Sequence, residues 1–109
     1  MTETEPVDGS IERRWAPICG AEEFAAVVRD LVAFEAPRLF AIVQELGDRV
    51  DGRVAAWGMA FDDGVAVVSA EGHATITAAS PERAARFYAR RPTAGRPEVT
   101  SRVVWAPAA

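Results

Sequence analysis

At 109 residues the chain fits one domain with a modest core, burying roughly 60–70% of the surface its unfolded form exposes. Half of the residues are hydrophobic and 8% aromatic, which excludes disorder over most of the length. The 12 basic residues, all arginine, are outweighed by 16 acidic ones for a net charge of −4; Arg13-Arg14 and Arg90-Arg91 stand as isolated pairs, so nucleic acid is not expected as a partner.

The single cysteine, Cys19, forbids an intramolecular disulfide and with it a disulfide-built secreted scaffold. "MTETEPVDGS" is acidic and polar where a signal peptide is basic and then apolar, and no run reaches the roughly 20 apolar residues of a membrane span. A cytoplasmic protein with no membrane partner is expected. Arginine without lysine, together with abundant alanine, resembles the usage of high-GC bacterial genomes.

In chain order, residues 1–10 lack apolar periodicity and read as a flexible acidic tail, leaving 11–109 as one domain. "IERRWAPI", 11–18, allows an extra N-terminal strand ended by Pro17. Phe24, Val27, Val28, Leu31 and Phe34 then fall at helical spacing with Glu22 and Glu23 in the first turn, predicting a helix over 21–35 that Pro37 stops. "RLFAIVQEL", 38–46, reads as a strand, and the turn "GDRVDG" leads to a second strand over 53–61. "DDG" closes a hairpin into "VAVVSA", 65–70, and "EGH" leads to "ATITAA", 74–79. Ser80 as N-cap, Pro81 at the first helical position and the Ala84, Phe87, Tyr88 stripe predict a second helix, with Arg90 and Arg91 at its negative end. "VTSRVVW", 99–105, is a last strand.

The expectation is an α+β fold in the order α-β-β-β-β-α-β: an antiparallel four-stranded meander and a C-terminal strand, with both helices packed on one face. With the extra N-terminal strand the order also resembles a ferredoxin-like fold carrying an added hairpin. Without it, the topology resembles the small acidic dimeric α+β proteins used as secretion chaperones.

Alternation along 53–61 places Ala55, Trp57, Met59 and Phe61 on one side and Val54, Ala56, Gly58 and Ala60 on the other. The small side suits close approach of helices. The large side, with Phe40 and Ile42 added from the first strand, needs another cover, since a sheet apolar on both faces normally has both covered. Three covers are open: a second subunit, the chain's own strongly bent sheet, or a ligand cavity. A homodimer with Trp57, Met59, Phe61, Phe40 and Ile42 at its interface is the leading expectation.

Chemistry has weaker candidates. A nine-residue strand spans about 30 Å, so Asp48 and Asp51 lie at the end of the sheet opposite Asp62 and Asp63. The meander returns Glu71 and His73 to the Asp48 and Asp51 end, where Arg91 also finishes, giving one polar cluster with acid-base potential. The competing reading is that these are solvated turn residues. Cys19 precedes a helix N-terminus, a position that suits a reactive thiolate, but no His or Arg adjoins it and free Cys is commonly inert. No EF-hand, phosphate loop, GxSxG or CxxC pattern is present, so no metal or cofactor is expected. The function expected is a non-enzymatic, chaperone-like or regulatory protein-binding module, with a small enzyme or small-molecule binder using a cavity under the helices as the alternative.

Overall fold

The computed structural model describes residues 15–107. The expected acidic tail, 1–10, and residues 11–14 of the expected N-terminal strand lie outside this range. Contacts divide the chain into two units, Met1–Ala36 and Pro37–Ala109.

In the first unit, the described part of "IERRWAPI", 15–18, is turn and bend rather than strand. Pro17 brings no N–H to a ladder there. Helix α1, Ala21–Glu35, has the predicted bounds, with Glu22 and Glu23 at its positive end and extended Gly20 as N-cap. The first turn closes as Phe24 N–H donates to Gly20 O at 2.8 Å. Ala36 is extended, as a residue preceding proline tends to be, and this ends the helix. None of the residues of α1 is buried.

The second unit is a five-stranded sheet with one short helix. Its strands are β1 Arg38–Leu46, β2 Asp51–Phe61, β3 Gly64–Ser69, β4 Thr75–Ala78 and β5 Val99–Trp105, and helix α2 is Pro81–Arg86. The spatial order is β4-β3-β2-β1-β5 and every pairing is antiparallel. Consecutive strands form the meander, and the chain then crosses from the β4 edge to pair β5 with β1. The expected α+β architecture and element order are thus present.

Register decides which side chains share a face. Phe40 pairs with Gly58, Ile42 with Ala56 and Ala60 with Val65, while β5 sets Val103 against Ile42 and Trp105 against Phe40. Directly opposed residues point to the same side, so Phe40 and Ile42 belong with the small residues of β2. This corrects the expected face of Phe40 and Ile42. Both are 0% exposed and centre the core with Val67, Ala84 and Ala85. The physical reason is volume: the small residues of β2 leave the space that the large residues of β1 fill. A Cβ built on Gly58 would clash with the Cζ end of the Phe40 ring.

A β-bulge alters the alternation of β2. Ile42 faces Ala56 but Val43 faces Val54, so Ala55 is an extra residue. Val54 consequently shares the face of Trp57 rather than that of Ala56.

Helix α2 begins as its signals predict, with Ser80 Oγ accepting from Arg83 N at 3.2 Å and Pro81 in the first turn. It ends sooner than expected. Phe87 N–H and Tyr88 N–H reach back only three residues, to Ala84 O and Ala85 O, and Arg90 then exchanges both backbone hydrogen bonds with Val99 at 2.8 Å. Pairing with β5 therefore takes Arg90 out of the helix. Ala84 and Ala85, not Phe87, press on the core, and α2 touches β3, β4 and β5. Ser101 Oγ ties β5 to the helix by donating to Ala85 O at 2.6 Å.

Candidate functional site

The two faces of the sheet differ in cover. The core face meets α2, whereas the other face carries an apolar stripe that is exposed. β2 supplies Val54, Trp57, Met59 and Phe61, β1 supplies Leu39 and β5 supplies Val104, all exposed. Trp57 is 44% and Phe61 47% exposed. Ala41, opposite both Trp57 and Val104, is buried at the stripe's centre, where the larger neighbours close over it.

Of the five residues expected at an interface, Trp57, Met59 and Phe61 lie on this open face and Phe40 and Ile42 do not. Sequence reasoning missed Leu39, Val54 and Val104. Leu39 was recoverable once Phe40 was recognised as the partner of a glycine. Val54 was not, because the bulge that reverses it leaves no mark in the apolar pattern.

Asp48, Asp51, Glu71 and His73 each have a local partner. Asp48 pairs with its neighbour Arg49 at 3.4 Å, both well exposed. Asp51 Oδ1 accepts from Gly52 N–H at 2.8 Å, a local bond at the start of β2. Glu71 pairs with Arg53 at 3.9 Å, again in solvent. At the β3–β4 turn, Ser69 Oγ accepts from the backbone N–H groups of His73 and Ala74 at 3.2 and 3.1 Å. His73 is exposed in that turn. Among the described residues no group of three His, Cys, Asp or Glu side chains could hold a metal ion.

The connected polar element at this end is one that sequence reasoning did not assemble. Arg53 Nε donates to Gln44 Oε1 at 2.8 Å, and Gln44 Nε2 donates to Tyr88 O at 2.8 Å. This chain fastens the segment after α2 to the sheet and presents no nucleophile or base to a ligand. Asp51, Arg53 and Arg90 line an open recess of about 330 Å³ beside it; Arg91 lines a separate one. Cys19 is a free thiol of intermediate exposure just before α1.

Basic side chains gather where the sequence suggested only isolated pairs. Arg83 and Arg86 line a recess of about 440 Å³ with Phe87. Arg86 also lines the adjoining recess of about 470 Å³, with Arg90 and Arg91. The signal was present in "PERAARFYARRPTAGR", which holds five arginines against one glutamate.

Among the described residues no helix is long and apolar enough to cross a membrane. Comparison with family models, with curated proteins and with solved structures finds no match for this chain.

Proposed function

We propose that the chain is a non-enzymatic protein-binding module, chaperone-like or regulatory in kind, that pairs with a second copy of itself through the open face of the sheet. The observation that carries this reading is the asymmetry of the two faces. One is filled by α2 and the other leaves Trp57, Met59, Phe61, Leu39, Val54 and Val104 exposed together. Contiguous apolar surface of this kind marks interaction sites in small proteins. A two-fold arrangement lets the same stripe cover itself.

The size of the stripe bears on its strength. The three strands that carry the stripe, at about 4.8 Å spacing and crossed by the reach from Val54 to Phe61 at about 3.3 Å per residue, give a footprint of roughly 300 Å². A standard interface buries about 800 Å² per partner, so the pair is a weak, concentration-dependent one. The same reading puts the protein in a bacterial cytoplasm, supported by its arginine-only basic composition and single cysteine.

Light scattering over a concentration series, with Trp57→Asp beside the wild type, tests the proposal. The wild-type mass should rise from one chain toward two as concentration increases, and the variant, folded by circular dichroism, should stay at one. A wild type that remains monomeric into the millimolar range, or a Trp57→Asp protein that pairs as well as the wild type, overturns it.

A further inference from the structure

The chain is acidic overall, yet one surface is strongly basic. Residues 81–96 hold Arg83, Arg86, Arg90, Arg91 and Arg96 against Glu82 alone, a local +4 in a chain of net −4. Four of these arginines line the two adjoining recesses along α2, with Arg86 common to both. No carboxylate lies within ion-pairing distance of any of them among the described residues, where the ion pairs are Arg49 with Asp48 and Arg53 with Glu71. Glu98 is the one acidic residue lining either recess.

The surface also carries an apolar element. Phe87, the helical C-cap of α2, is 70% exposed, whereas Ala84 and Ala85 are the residues of the helix that are buried. It sits with Arg83 and Arg86 over the small side chains Ala78 and Ala79. Unpaired guanidinium groups flanking an exposed aromatic offer charge-assisted hydrogen bonds to carboxylates and a seat for an apolar side chain. We propose that this α2 surface binds an acidic segment of another protein, in which carboxylates flank an apolar residue that packs on Phe87.

Charge and composition favour a peptide over a nucleic acid. The chain outside residues 81–96 carries −8 (net −4 less the local +4), which repels any polyanion long enough to leave the patch. A short acidic segment stays on the patch, within a Debye length of about 8–10 Å. Single-stranded nucleic acid also needs successive aromatic platforms, and Phe87 is a single one. The surface lies on the helix-covered side of the sheet, opposite the Trp57 stripe, so it stands or falls independently of self-association.

The experiment is fluorescence polarisation of the full chain with a labelled peptide of alternating glutamate and leucine. Its lysine-leucine counterpart and an oligothymidylate of equal length are measured alongside. The acidic peptide should bind saturably and the lysine peptide should not. Raising ionic strength from about 0.05 M to about 0.5 M should weaken binding, as the Debye length shrinks several-fold. The double variant Arg86→Glu/Arg90→Glu should weaken binding at least about tenfold, as expected for loss of close charge pairs. Arg86→Gln/Arg90→Gln serves if charge reversal impairs folding. Phe87→Ala should weaken binding without altering its salt dependence, and Arg102→Glu, on the open face, should leave it unchanged. The proposal is overturned by absence of saturable binding, by equal binding to the double variant, by an equal loss with Arg102→Glu, or by tighter binding of the oligothymidylate.

Discussion

Replacing Gly58 by alanine tests the packing that defines the core face. The added methyl carbon would stand 2.6 Å from Cε1 and Cε2 of Phe40 and closer still to Cζ. Carbon atoms pack at about 3.5–4.0 Å, so the ring must retreat by about 1 Å. Little room is available for that. Phe40 is 0% exposed, meets Trp105 edge-on at 5.3 Å between ring centroids, and shares the core with Ala84 and Ala85.

Overpacking of this kind costs about 1–3 kcal/mol. Gly58 does not have positive φ, so alanine is admissible to the backbone and recovers about 0.4–1 kcal/mol from the unfolded state. The expected net loss is about 1–2 kcal/mol, a fall in Tm of about 4–16 °C for a domain of this size. Full expulsion of the ring would set an upper bound of about 3–5 kcal/mol.

Thermal and urea unfolding followed by circular dichroism measures the loss, and Phe40→Leu supplies the second half of a double-mutant cycle. Leucine lacks the ring atoms that meet the new methyl group, so Gly58→Ala/Phe40→Leu should be more stable than the sum of the single losses by at least about 0.5 kcal/mol. A Gly58→Ala protein melting at or above the wild type, or strict additivity in the cycle, would refute the reasoning.

Three further outcomes are expected. Ser101→Ala removes the 2.6 Å bond to Ala85 O, which keeps its bond from Tyr88 N–H; chemical denaturation should show a loss of about 0.5–1.5 kcal/mol. Ser80→Ala deletes the cap of α2 and should cost about 1 kcal/mol by the same measurement, with far-UV helicity falling. Glu71→Ala breaks only the exposed 3.9 Å pair with Arg53, so its Tm should match the wild type within the effect of about 0–1 kcal/mol typical of such pairs.

Element order was legible because each boundary has a local cause. The α1 stripe with Pro37 behind it, and the turns "GDRVDG", "DDG" and "EGH", are short-range signals. Pairing register is not short-range. Whether Phe40 stands with Trp57 or with Gly58 depends on how the strands align across the β1–β2 turn, and the reading by shape alone placed Phe40 and Ile42 on the wrong face. The bulge at Ala55 adds one residue to β2 and moves Val54 to the open face, and a residue's type does not announce a bulge. The early end of α2 has its cause outside the helix as well, since Arg90 leaves it to bond Val99, nine residues further along the chain. The basic surface had a local signal in the five arginines of residues 81–96, but which of them share a surface follows only from the path of the chain after α2.

The placement of β5 beside β1 has a kinetic consequence. The pairs within the β2–β3 hairpin begin three residues apart, at Phe61 and Gly64, whereas the β1–β5 pairs span 53 residues at Leu46 and Val99 and 65 at Phe40 and Trp105. Closing so long a loop carries an entropic cost that the meander avoids. The four meander strands can therefore associate first, with β5 docking last. Until it does, β1 is a bare edge and Phe40 lacks Trp105. During synthesis on a ribosome that edge stays open to other nascent chains until Val99–Trp105 has emerged, so the time that separates translation of β4 from translation of β5 bears on the yield of folded protein.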